Sequence, residues 1–204
     1  SEKLTPFGGI FSIMEQFDLM TACQSSDHMM FWGTAIDGPK QEFIRKVLKK
    51  QSNAKVLTEV GDKTLLGPFK QEGVNGYFVL VASKPDVDVV NQVSLLYPTL
   101  NSWRECETKY NELKEELTKK YGEPVGSVEQ FQNPNVPDNQ KLSKFFLGEA
   151  EYSTLYYDEK GSVELAVKGY GYSPLYSVRI TVTYIDGINN ESYEDVGDEC
   201  WGEE

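Results

Sequence analysis

One pattern occurs twice in this chain: an amphipathic helix followed by short alternating strands that end on a Val-rich strand and a tyrosine. The first copy runs from about residue 37 to Tyr97, the second from about residue 102 to Tyr184. A lone helix or a lone meander cannot bury its apolar side, so each copy predicts a helix packed on an antiparallel sheet. The expected fold is α+β: two tandem units of one helix on an antiparallel sheet, plus an N-terminal helix. The units span 28–98 and 99–187, with a helical lead-in over 1–27 and an acidic tail over 188–204.

A fixed offset of 85 residues aligns the two copies. It pairs Gly76 with Gly161, Phe78 with Val163 and Leu80 with Leu165, and then Val93 with Val178, Leu95 with Ile180 and Tyr97 with Val182. The preserved gap between the two strands carries more weight than any single match, since alternating strands match one another in part whatever their origin.

The best-defined element is the second helix. Ser102 and Glu105 have capping-box spacing, and Trp103, Cys106, Tyr110, Leu113, Leu117 and Tyr121 recur every three or four residues as one stripe. Glu105–Lys109, Glu115–Lys119 and Glu116–Lys120 are spaced for ion pairs on the wet face. Gly122 and Pro124 end the helix. The first helix follows Pro39, with Phe43, Ile44, Val47 and Leu48 as its stripe. Ile10, Ile13, Met14, Phe17 and Met20 predict a further helix in the lead-in, with the second apolar face of the YFVLVAS strand as its docking place. Strands are expected at about 28–36, 54–60, 63–69, 77–83, 91–97, 125–132, 142–148 and 150–157. The last two are SVELAVK and YSVRITVTYI. Residues 132–140 and the run GYGYS at 169–173 read as loops.

Charge narrows the function. The formal net charge is −12, which argues against a nucleic-acid partner and against an anionic membrane surface. Eight carboxylates and no Lys or Arg fall between Asp186 and Glu204. That run lacks the alternating Asp order of a calcium loop and reads as a solvated tail. No apolar run is long enough to span a bilayer. Ser1 in place of Met fits removal of a leader, or a piece cut from a longer protein.

No cofactor or metal motif is present. The three cysteines, Cys23, Cys106 and Cys200, show no CxxC spacing, and His28 is the one histidine. Cys106 lies on the helix stripe and should be buried and inert; Cys23 and Cys200 can bridge in an oxidising compartment. A Cys23–His28 dyad can be drawn, but a surface histidine near an unrelated thiol is by far the simpler account of the pair. There is no GxSxG elbow, Walker loop or GxGxxG turn after a strand. Glu149, Glu151, Asp158, Glu159 and Glu164 could supply the paired carboxylates of a sugar or peptide hydrolase, although strand edges and turns are ordinary places for solvated acids.

Three stretches, MFWGTAIDGPKQEFIRKV, SWRECETKYNELKEELTKKYGEPVGSVEQF and YYDEKGSVELAV with VTYIDGIN, resemble a family of small proteins of Gram-negative gut bacteria. The resemblance implies a secreted or envelope location, often with a signal peptide, and it transfers no site residue. At fold level, helix-then-meander in tandem is similar to β-lactamase-inhibitor-like modules. The function expected is a non-enzymatic binding or interaction module of the cell envelope, with a structural subunit of an envelope complex as a further alternative. Its expected partner is a protein or a glycan. The expected site is an open sheet face carrying Tyr152, Tyr156, Arg179, Thr181 and Thr183, because tyrosines give large amphipathic contact area and Arg179 adds a charged anchor.

Overall fold

The computed structural model describes residues 27–190. The lead-in helix, Cys23, Cys200 and most of the acidic tail lie outside the described residues.

The chain is α+β and consists mainly of one large antiparallel sheet. A short hairpin, β1 (Met30–Phe31) and β2 (Thr34–Ala35), comes first. Helix α1 (Lys40–Leu48) follows and leads into β3 (Lys55–Val60), β4 (Lys63–Gln71), β5 (Val74–Ser83) and β6 (Val90–Leu96). Helix α2 (Trp103–Tyr121) leads into β7 (Gly126–Phe131), then α3 (Asp138–Phe146), β8 (Ala150–Asp158), β9 (Gly161–Tyr172) and β10 (Leu175–Asp186). The eight strands β3 to β10 form one sheet in the order β3-β4-β5-β6-β10-β9-β8-β7. Two four-stranded meanders thus meet along β6 and β10, where Leu95 faces Val182 and Val93 faces Tyr184.

Helix α2 forms for the local reasons read from the sequence. The Ser102 side chain accepts a bond from the Glu105 N–H at 3.2 Å, and Gly122 ends the helix at φ 82°. Only this half of the capping box is made. Of the three expected ion pairs, Glu115–Lys119 forms at 3.1 Å. Lys109 instead lies over the Tyr97 ring and near Glu112, and Lys120 lies over Tyr121. Trp103, Cys106, Tyr110, Leu113 and Leu117 are buried against the sheet. Each such leucine contributes about 1.5–3 kcal/mol by leaving water.

The segment 138–146 is a helix, where the sequence reading has a loop followed by a strand. Pro137 precedes it, Asp138 sits in its first turn, and Leu142 and Phe145 fall three apart on one side. Phe145 stacks on Trp103 at 5.7 Å. Leu142, Phe145 and Phe146 form a short apolar cluster, whose period does not separate strand from helix; docking on Trp103 decides it. The run GYGYS is also not a loop. Strand β9 continues to Tyr172, pairing with β10 as far as Leu175.

All three helices lie on one side of the sheet. On that side Val79, Val81, Val93, Leu165, Ile180 and Val182 are buried. Among the described residues, no helix covers the other side.

Candidate functional site

Strand alternation assigns each expected site residue to a face. In β10, Val178, Ile180 and Val182 are buried under the helices. Arg179, Thr181 and Thr183 therefore point to the open side, as the sequence pattern predicts. Their neighbours there follow from the register. Thr181 lies between Leu96 of β6 and Ala166 of β9, and Thr183 between Ser94 and Glu164. One strand further, Leu96 faces Phe78 and Ser94 faces Leu80. The open face thus carries a band of apolar and hydroxyl side chains across its centre. The Ser94 and Thr183 hydroxyls bond each other at 2.8 Å.

Tyr152 and Tyr156 do not belong to this face. Tyr156 pairs with Val163, which is buried under the helices, so its ring shares that side. It has no exposed surface; its hydroxyl donates to the Lys114 carbonyl at 3.0 Å and lies 2.9 Å from Thr118 Oγ1. Tyr152 packs edge-on to Trp103 at 5.0 Å and to Tyr110 at 5.5 Å. Both tyrosines fasten α2 to the sheet. The signal that places them was present in the sequence. A two-residue turn at Glu159-Lys160 pairs Asp158 with Gly161, and that register puts Tyr156 opposite Val163.

The structure adds two aromatic residues to the open face. The Arg179 guanidinium lies over the Phe78 ring at 5.0 Å and over the Tyr170 ring at 5.3 Å. Tyr170 reaches this position because β9 runs on through the GYGY segment. The Nε atom of Arg179 is buried and has no hydrogen-bond partner among the described residues. Desolvation by burial lowers the pKa of this guanidinium, against a smaller opposing effect of Tyr170. Directly opposite Arg179 on β9 is Lys168, so two cations face each other across one ladder. Neither makes an ion pair with a described residue.

The candidate hydrolytic carboxylates are dispersed in role. Glu149, Glu151 and Glu164 line one cleft of about 610 Å³ near Lys168. Glu149 is bonded to Lys144 at 2.9 Å. Asp158, outside that cleft, accepts from the Lys160 N–H at 2.9 Å and shapes the β8–β9 turn.

His28 is tied into the fold. Its Nδ1 lies 2.8 Å from Asp186 Oδ2 and its Nε2 lies 3.3 Å from Asp37 Oδ2. Among the described residues no three His, Cys, Asp or Glu side chains form a metal-ligand group. Cys106 is buried, and burial, with a smaller effect of Glu107, pushes its thiol up to about 12. No helix among the described residues is long and apolar enough to cross a membrane.

Comparison of the chain with family models, with curated proteins and with solved structures gives no match in any of the three.

Proposed function

We propose that this chain is a non-enzymatic binding module of the bacterial cell envelope that takes a protein partner on its open sheet face. The observation that carries the reading is that the described helices cover one side only of an eight-stranded sheet. The centre of the side that no described helix covers holds Phe78, Leu80, Leu96, Thr183 and Arg179 around the buried Thr181, an apolar and hydroxyl-bearing band with one charged anchor. A broad mixed surface of this kind is suited to protein contact. The envelope setting rests on the resemblance of three sequence stretches to envelope proteins of Gram-negative bacteria.

The proposed architecture is two tandem helix-plus-sheet units, 28–98 and 99–187, that share one sheet, with a further amphipathic helix in the lead-in. The β6–β10 register supports the tandem reading. Leu96 and Thr181 face each other there, and they are themselves one 85-residue offset apart. A two-fold relation between the units would pass through that pair. The same offset does not suit β5 and β9. It aligns Phe78 and Leu80, on the open side, with Val163 and Leu165, which are buried under the helices. A one-residue shift there restores the pleat.

The test is partner capture from an envelope fraction with the full chain, followed by face-specific substitutions. Leu80→Asp and Thr183→Arg, on the open face, should each weaken capture by at least about 1 kcal/mol, while Glu115→Gln, on the outer side of α2, should leave it unchanged. Equal capture by all three variants would refute the open face as the binding surface.

A further inference from the structure

We propose that Lys168 and Arg179 form a receptor for a carboxylate presented by the partner of the open face; the proposal rests on the binding reading above and names the chemistry of its anchor.

Three observations converge on this pair. The first is placement. Lys168 and Arg179 are direct cross-strand partners in the β9–β10 ladder. Like charges set opposite each other destabilise a sheet pair. The chain has 32 acidic and 20 basic residues, so carboxylates to neutralise them are plentiful. Yet among the described residues no carboxylate reaches either cation. An anion arriving from outside would turn a repulsive pair into a bridged one.

The second is the setting of the guanidinium. Phe78 and Tyr170 hold it at 5.0 and 5.3 Å from their ring centroids. Ring contact immobilises the side chain and removes water from it, which strengthens any later ion pair. The third is the unpartnered Nε–H, buried in a half-buried residue. Buried donors are rarely left unsatisfied without a reason such as a missing partner.

The geometry favours a carboxylate over a phosphate. A planar guanidinium flanked by rings presents its edge, which matches the planar two-oxygen fork of a carboxylate. One arginine, one exposed lysine and the nearby Thr181 hydroxyl suit a single negative charge. A phosphate dianion would also meet stronger repulsion from a chain of net charge −12.

The experiment follows the Arg179 Nε–H and the Lys168 and Thr181 amides of the full chain by NMR during titration with acetate, inorganic phosphate or chloride at matched ionic strength. Acetate should shift these signals saturably, with an affinity of about millimolar order, and chloride should not. Arg179→Gln and Lys168→Gln should each weaken acetate binding by about tenfold or more. Lys168 is exposed, so its variant tests the pair without disturbing the core. In chloride alone Lys168→Gln should melt at or above the wild-type temperature, because repulsion is relieved. A lower melting temperature would mean that Lys168 has a structural role and would overturn the proposal. Saturation by phosphate alone would overturn the carboxylate assignment. If neither oxyanion moves Arg179 while Leu80→Asp still abolishes partner capture, the receptor is wrong and the binding face stands.

Discussion

Replacing Asp186 with Asn changes one buried oxygen to an NH₂ group, at the point where the beginning and the end of the described chain are joined. Asp186 has no exposed surface. Its Oδ1 accepts the Met29 N–H at 2.7 Å. Its Oδ2 lies 2.8 Å from His28 Nδ1 and accepts the Asn189 N–H at 2.9 Å. An asparagine has a single acceptor oxygen. If that oxygen serves His28 and Asn189, its NH₂ group faces the Met29 N–H, donor against donor. One charge-assisted bond is then lost, at about 1.5–3 kcal/mol, and the other two fall to the strength of neutral bonds. The expected loss is about 2–4 kcal/mol. In urea this should appear as a lower midpoint at unchanged slope, and in a thermal scan as a fall of about 5–15 °C for a chain of this size. A variant within about 0.5 kcal/mol of wild type would show that the three bonds are not jointly made, and the argument for this joint would fail.

Leu117→Ala, beneath α2, should cost about 2–5 kcal/mol, measured by the same urea titration; a change below about 1 kcal/mol would mean that the helix stripe is not packed. In the native protein Cys106 should resist thiol reagents at neutral pH, since the thiolate is the reactive form and burial holds its thiol up at about 12; labelling of Cys106 before unfolding would contradict this. Thiol titration of the unfolded chain without reductant should find one free group if Cys23 and Cys200 bridge, and three if they do not. The Asp37 carboxyl is pushed up by burial but drawn down more strongly by bonds from Asn189 and Gly38 and by the charge of His28, so it titrates below its ordinary value of 3.8. A depressed carboxyl adds stability that is present above its unfolded value and is lost as the pH falls through the folded one. The urea midpoint of Asp37→Asn should therefore lie below that of wild type at about pH 6 and converge with it as the pH falls through the lowered folded value; a gap that stays constant into strong acid would refute the sign.

How much of this was legible in the sequence varied with the length of each signal. Helix α2 could be read because a cap, a five-residue buried stripe and a glycine stop agree over 19 residues. Strand β10 could be read to the correct face because small or polar residues alternate strictly with Val and Ile. Helix α3 could not, because nine residues with three apolar positions fit two periods. Its identity comes from Phe145 meeting Trp103, a contact 42 residues apart in the chain. Tyr152 and Tyr156 were placed on the wrong face because β8 carries large residues on both sides, and only its pairing with β9 separates them. Tyr170 and Phe78 lie in different halves of the chain, so no local pattern shows that Arg179 reaches both.

The strand order also sets a schedule for the nascent chain. Strand β10 is the last of the described strands in sequence but central in the sheet, between β6 and β9. The first meander can therefore form with β6 as a raw edge, its backbone donors and acceptors free to pair with another chain. That edge closes only after β10 has left the ribosome, about 90 residues beyond Leu96. At about 5–20 residues per second the wait is roughly 5–20 s. During that interval the exposed ladder is a natural substrate for chaperones. A stop codon just before Leu175 would make the wait permanent, removing the seam rather than an end.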